Sequence, residues 1–212
     1  QFPRRLQPLS YWRCPSLSPV PATLENVVLK AETTDGRFIT GESAIPGSGQ
    51  VIRRVVLEPE CKPLPEAVEA IREADMIVLG PGSLYTSVLP NLLIKDLAAA
   101  VKAAQAIKVY VCNVMTQPGE TDGYGAAEHV QAIIDHVGPG VIEHVLVNIE
   151  EIPRELIAKY LEQGAKPVAA DAAKLSKMGL KVVPEKLVYK SNLVRHHPDK
   201  LSRAVIQLLA NK

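Results

Sequence analysis

The order of apolar and polar residues predicts two kinds of structure along the chain. Between residues 25 and 57, apolar and polar positions alternate, and Asp35-Gly36 separates two such runs, 25–33 and 37–40. An Asp-Gly pair between alternating runs is typical of a β-hairpin, and residues 51–57 predict a further strand. Beyond residue 65, short apolar runs follow segments in which apolar residues recur every three or four positions. This second part therefore predicts strands in alternation with amphipathic helices.

The spacing of these segments predicts the fold class. The predicted strands are 75–79, 108–113 and 144–148, with further candidates at 167–169 and 180–183. The predicted helices are 66–73, 90–105, 124–137, 153–162 and 198–209. The run at 75–79 is apolar almost throughout, which is expected of a strand covered on both faces. The pattern favours an α/β fold with a mainly parallel sheet and flanking helices.

Residues 1–21 differ from the rest of the chain. They contain five prolines, three arginines and no acidic residue. Proline removes a backbone donor and restrains the residue before it, so neither a helix nor a central strand is expected there. We interpret 1–21 as an irregular, non-homologous leader and 22–212 as a single α/β domain.

Composition and charge exclude several classes of protein. The chain is 47% hydrophobic and 22% charged, which is ordinary for a globular protein. A net charge of +1 argues against a nucleic-acid-binding surface, and no apolar run approaches the roughly 18 residues that span a bilayer. Cys14, Cys61 and Cys112 are too far apart to indicate a disulfide framework or a zinc site. We expect reduced thiols and a cytoplasmic protein, with no nucleic-acid partner and no insertion into a membrane.

The first candidate for chemistry is the segment after the strand at 75–79. Ligands of α/β sheets bind beyond the carboxyl ends of the strands. Gly80 and Gly82 let the backbone approach a ligand closely, while Ser83, Thr86 and Ser87 add hydroxyl groups. These residues predict a phosphate or diphosphate site, and the simpler alternative is a turn that closes the strand.

The second candidate is the long segment 113–123, which follows the next strand. Asn113 and Gln117 can each donate and accept hydrogen bonds, as a sugar or a base requires. In the simpler alternative, Asn113 caps the strand, and Glu120 and Asp122 are acidic residues at the start of the next helix. Because strands that are neighbours in the chain commonly pair, we expect the two loops to lie side by side and to form one ligand site.

Residues 74–93 and 108–124 resemble the gluconeogenesis-factor (YvcK) family, which is related to the CofD-like 2-phospho-L-lactate transferases. The hairpin at Asp35-Gly36 and the segments 41–43 and 194–196 resemble the same family. The resemblance implies a cytoplasmic bacterial protein with a doubly wound α/β fold. It further implies binding of UDP-sugars such as UDP-glucose or UDP-N-acetylglucosamine, and a need for the protein in cell morphogenesis during gluconeogenic growth.

Eight residues match family positions that the resemblance associates with the ligand. They are Gly80, Gly82, Ser83 and Thr86 of the phosphate-side loop, Asn113 and Thr116 of the neighbouring loop, and Tyr160 and Arg195. An aromatic ring can stack on uracil or a sugar, and a guanidinium can bind a diphosphate through two hydrogen bonds. The alternatives are a tyrosine packed on a helix surface and a solvated arginine.

The sequence also departs from the family. Its members begin with a strand and a Gly-Gly-Gly-Thr-Gly type loop, and this sequence contains no such loop. We therefore expect the domain to lack its first strand and glycine-rich loop, as the product of a truncated or frame-disrupted gene would.

The resemblance favours a binding and regulatory protein that has no catalytic activity, in contact with a cell-wall regulatory protein and able to form a homo-oligomer. The alternative is a phosphoryl-group transferase of the 2-phospho-L-lactate type, for which Mg²⁺ would be the cofactor. Glu120, Asp122 and Glu128 are candidate ligands of such an ion. His129 and His136 are seven residues apart on a predicted helix, which predicts solvated histidines in place of a shared metal.

Overall fold

The computed structural model of the chain describes residues 19–190 and 193–211. The predicted leader 1–21 lies mostly outside the described residues, and residues 19–27 contain no helix or strand. No single helix in the described ranges has the length and apolar composition of a membrane span, and only the bent pair Leu84–Leu92 and Lys95–Ala103 meets that test as a unit.

The first sheet is antiparallel and contains the predicted hairpin. Strands β1 (Val28–Thr33) and β2 (Phe38–Thr40) are joined by the Asp35-Gly36 turn, and β3 (Ile52–Glu58) pairs with the other side of β1. Leu29 and Ala31 of β1 are buried, so the alternation in the sequence places its apolar side against the core.

The second sheet is parallel and has four strands in chain order. These are β4 (Met76–Leu79), β5 (Ile107–Val111), β6 (His144–Asn148) and β7 (Lys181–Glu185). Strands β8 (Val188–Lys190) and β9 (Val194–His196) form a separate antiparallel pair. The predicted α/β class, with a parallel sheet, flanking helices and a hairpin near the N-terminus, is confirmed.

Helices lie between the strands of the parallel sheet and after them. They are α1 Pro65–Glu73, α2 Leu89–Leu92, α3 Lys95–Ala103, α4 Ala126–Val137, α5 Arg154–Glu162, α6 Ala172–Lys177 and α7 Pro198–Ala210. Two 3-10 turns occupy Glu42–Ala44 and Pro46–Ser48, and a π-helical turn occupies Leu84–Val88.

The core has one main part on each face of the parallel sheet. On one face, Tyr110 and Val145 pack with α4, α2 and the inner side of the antiparallel sheet. On the other face, Val109 and Leu146 pack with Ala204 of α7. The central strands of the sheet are thus covered on both faces, and the carboxyl edge of the sheet lies between these two layers.

Three local predictions were wrong or incomplete, and three short elements were not predicted. The predicted helix 90–105 is divided, because the backbone of the buried residue Ile94 is extended and ends the helical run before α3. In place of a strand at 167–169 the chain forms a single bridge between Met115 and Pro167. Val78 is 42% exposed, since β4 is the edge strand of the described sheet and is not covered on both faces. The short elements α6, β8 and β9 had no periodic pattern long enough to predict them.

His129 of α4 is buried and His136 is half-buried, contrary to the prediction that both are solvated. His129 is fully buried and its Nδ1 donates a hydrogen bond to the carbonyl oxygen of Gly125 (2.8 Å). The Nδ1 of His136 donates to Ala132, while its Nε2 accepts the backbone N–H of Val55. Val55 of the antiparallel sheet thus contacts His136, whereas the ring of Tyr124 packs on His129 at 5.6 Å between ring centroids, and the helix sequence alone reveals neither contact. Burial lowers the pKa of both histidines.

These histidines predict a loss of stability in acid. A histidine whose pKa is lowered by folding binds more protons when unfolded, so its stabilising effect is complete above about pH 6.5 and declines as the pH falls below that value. We expect the free energy of unfolding in urea to be lower at pH 5.5 than at pH 7.5. In His129→Gln the decrease should be smaller by about 1 kcal/mol, since one pH unit corresponds to about 1.4 kcal/mol for each proton. An unchanged pH dependence in this variant would contradict the role of His129.

Candidate functional site

Two loops meet at the carboxyl edge of the parallel sheet. Residues 80–83 follow β4 and residues 112–123 follow β5, and these strands are paired in register. The side-chain amide of Asn113 donates to the carbonyl oxygen of Gly82 (2.9 Å), and that of Gln117 donates to the hydroxyl of Ser83 (2.6 Å). The two loops therefore lie side by side, as expected from the sequence.

Gly80 is required by the course of the first loop. Its φ is +80°, and a Cβ at this position would lie 3.0 Å from the carbonyl oxygen of Val111 at the end of β5. Both the left-handed conformation and the close approach favour glycine. Gly80 shapes the exit from β4, but it does not line the cleft described below.

The second loop is fixed to a segment farther along the chain. The backbone N–H of Thr116 donates to Lys166 (2.7 Å), and the hydroxyl of Thr116 accepts the N–H of Lys166 (2.9 Å). The backbone N–H of Val168 donates to the carbonyl oxygen of Val114 (2.9 Å). The candidate strand at 167–169 thus has a role, which is to hold the loop after β5.

Strand β9 and helix α5 form the opposite wall. The hydroxyl of Tyr160 accepts the backbone N–H of Val194 (3.0 Å), and Nε2 of His196 donates to the carbonyl oxygen of Cys112 (3.1 Å). Burial lowers the pKa of His196, which favours the neutral ring. Arg195 lies between these two anchored residues, is exposed, and forms no ion pair with any residue in the described ranges.

These elements enclose an open cleft of about 960 Å³. Of the eight predicted ligand residues, seven line it: Gly82, Ser83, Thr86, Asn113, Thr116, Tyr160 and Arg195. Sequence reasoning missed several lining residues that come from distant segments, namely Glu42, Ser43, Gln163 and His196. The resemblance of the segments 41–43 and 194–196 to the family was the only sequence signal that could have associated them with the cleft.

Glu120 occupies part of the predicted phosphate site. Glu120 is 5% exposed as a residue, and its carboxylate accepts hydrogen bonds from the backbone N–H of Tyr85 and the hydroxyl of Thr86, both at 3.3 Å. The N–H groups of Ser87 and Val88 donate to Ser83. The backbone N–H groups of residues 85, 87 and 88 therefore have partners within the protein and are not directed at a ligand. Burial raises the pKa of Glu120, and the negative charge of Glu42 adds to this effect.

The three acidic residues considered as Mg²⁺ ligands are not gathered together. Asp122 accepts the N–H of Gly119 (2.7 Å), and Glu128 pairs with Lys174 (3.0 Å), whereas Glu120 faces the cleft. Within the described ranges, no group of three or more His, Cys, Asp or Glu side chains is placed to hold a metal ion.

A second cavity lies away from the sheet edge. It measures about 460 Å³ and is lined mainly by aliphatic side chains of β3, α2 and α3, including Leu57, Leu92 and Ala98. It lacks the converging amides and hydroxyls of the first cleft, which is therefore the stronger candidate for a polar ligand.

Comparison with known proteins identifies similar chains. The family model of 2-phospho-L-lactate transferase CofD matches residues 10–188. A gluconeogenesis factor of Bacillus subtilis is 51% identical over 192 residues, which cover 90% of this chain and 61% of the relative. A gluconeogenesis factor of Listeria innocua is 44% identical over 195 residues, which cover 91% of this chain and 60% of the relative.

A solved structure agrees with this similarity. The crystal structure of a member of the UPF0052 family from Bacillus halodurans superimposes with a TM-score of 0.86 at 48% identity, covering 88% of this chain and 61% of that one. The chain thus spans about three fifths of the length of these relatives.

The contact between Gly119 and Pro46 provides a test of how the second loop meets the 3-10 turn between β2 and β3. Gly119 and Gly123 have φ values of +79° and +75°, but only at Gly119 would a Cβ overlap the carbonyl oxygen of Pro46, while at Gly123 nothing lies within 4 Å. Gly123→Ala should lower the free energy of unfolding by about 1–2 kcal/mol, the cost of the left-handed conformation. Gly119→Ala should lower it by about a further 1–3 kcal/mol because of the overlap. Equal losses in urea titrations would show that the contact is absent in solution.

Proposed function

The chain belongs to the 2-phospho-L-lactate transferase CofD family, and we propose that it binds a nucleotide-activated sugar, UDP-glucose or UDP-N-acetylglucosamine, in the cleft between the two loops. The main support is the meeting of Ser83, Asn113, Tyr160 and Arg195, from four separate elements, around one cavity. Its volume, about 960 Å³, is at the upper end of the usual range for small-molecule sites.

Each lining group suits one part of such a ligand. The Ser83 hydroxyl accepts a hydrogen bond from Gln117, so its own hydrogen is left to donate to a phosphate oxygen. Arg195 can bind the diphosphate through two parallel hydrogen bonds. The ring of Tyr160 is held by its bond to Val194 and offers a face on which uracil can stack.

The cellular role that we propose follows the names of the relatives. Proteins 44–51% identical to this chain are called gluconeogenesis factors. We infer that this protein is cytoplasmic, senses the supply of UDP-sugars, and supports cell morphogenesis during gluconeogenic growth through a cell-wall regulatory protein. Self-association into a homo-oligomer is part of this proposal.

A second candidate is a phosphoryl-group transferase of the 2-phospho-L-lactate type, which the name of the matching family favours. Mg²⁺ is commonly held by one or two carboxylates and substrate phosphates, and Glu42 and Glu120 are the carboxylates that line the cleft. Such an ion would neutralise charge on the phosphates. Mg²⁺-dependent formation of phospholactyl-deazaflavin from a guanylyl-phospholactate donor would establish this activity. Its absence, together with UDP-sugar binding, would favour the first candidate.

UDP-sugar binding predicts a rise in melting temperature. A ligand that binds only the folded state stabilises it by about 2.7 kcal/mol at one hundred times its dissociation constant. We expect UDP-glucose or UDP-N-acetylglucosamine at millimolar concentration to raise the melting temperature in a thermal-shift assay, with glucose at the same concentration as the control. No shift with either nucleotide sugar would contradict the proposal.

Arg195 provides the second test of the proposed function. Arg195→Ala should weaken UDP-glucose binding by about 2–3 kcal/mol, because a charge-assisted contact with the diphosphate is lost. Arg203→Ala is the matched control, since Arg203 is also exposed but lies on α7, outside the cleft. Equal affinities of the two variants in calorimetry would refute the role of Arg195.

A further inference from the structure

The cleft lies between two separate hydrophobic clusters. On one side, the π-helical turn with Leu84 and Tyr85 packs with Ile45, next to the 3-10 turn that contains Glu42. On the other side, Val194 of β9 packs with Met115, Val188 and Tyr160. The floor between them is formed by Gly82, Ser83 and the loop after β5.

The charged groups of the cleft are separated in the same way. Glu42 and Glu120 line the cleft on the side of the first cluster, whereas Arg195 lines it on the side of the second. A ligand with an anionic part and a part rich in hydroxyl groups therefore has one preferred orientation, with the anionic part toward Arg195.

Glu120 is the decisive residue on the acidic side. It forms no ion pair with the residues in the described part of the chain, and the two hydrogen bonds that it accepts leave unused lone pairs on its two oxygens. Sugar hydroxyls can donate to such a carboxylate. A fully ionised phosphate cannot, and it would be repelled at close range, because no cation among the described residues pairs with Glu120.

We propose that the sugar ring of the ligand lies against Glu120 and Glu42, with its hydroxyls donating to their carboxylates, and that the uridine lies toward Tyr160. The diphosphate then lies between them, at Ser83 and Arg195. This orientation rests on the proposed binding of a UDP-sugar, and it assigns to Glu120 the recognition of the sugar and to the opposite wall the recognition of the nucleotide.

The variant Glu120→Gln tests this orientation. Glutamine has the same shape and can still accept the N–H of Tyr85, but it removes the charge that strengthens hydrogen bonds from hydroxyls. The dissociation constants of UDP and UDP-glucose are measured by calorimetry for the wild-type chain and the variant. Asp122→Asn is the matched control, because it makes the same change of charge on the same loop at an exposed residue outside the cleft.

We expect UDP-glucose binding to weaken about tenfold in Glu120→Gln, the loss of one charge-assisted hydrogen bond. The affinity for UDP should stay the same or rise, so the preference for UDP-glucose over UDP is lost. Asp122→Asn should retain the wild-type preference. Glu42 is exposed, so Glu42→Gln does not put folding at risk. This variant should also reduce the preference for UDP-glucose over UDP.

Two results would overturn the orientation while leaving the proposed function intact. Equal tightening of UDP and UDP-glucose in Glu120→Gln would place a phosphate beside Glu120, and equal weakening would place the uridine there. If the wild-type chain binds neither UDP nor UDP-glucose, the proposed function itself fails and the orientation fails with it.

Discussion

The parallel pairing of β4 with β5 brings the loops that follow them to one edge of the sheet, and two side-chain amides then join those loops. Asn113 and Gln117 donate across the gap to Gly82 and Ser83. Together these two bonds fix the floor of the cleft. The residues on the two walls can contact one ligand together only because this floor is fixed.

Much of this arrangement could be predicted from the sequence, because it depends on local patterns. Apolar runs gave the strands β4, β5 and β6, and parallel strands end at the same edge of a sheet. The glycines and polar residues that follow two of those strands were therefore expected to meet. Tyr160 and Arg195 had no such local reason, and only the family resemblance associated them with the cleft.

What the sequence did not reveal depends on contacts between distant segments. The antiparallel sheet packs on α4 and half-buries His136 through Val55, and His129 is fully buried, although a helix pattern alone places both in solvent. Glu120 was considered as a helix-terminal acid or a metal ligand, yet its carboxylate takes the N–H of Tyr85, 35 residues earlier in the chain. Nothing in the sequence of the loop 113–123 indicates that the carboxylate of Glu120 lies in the predicted phosphate site.

Hydrogen–deuterium exchange with and without UDP-glucose tests most directly whether the joined loops form the ligand site. The account predicts slower exchange of backbone amides in residues 80–88 and 112–123 and in β9 when the ligand is present. It also predicts no change in α2 and α3, which line the aliphatic cavity. Protection confined to that cavity, or unchanged exchange in both loops at saturating ligand, would contradict the account.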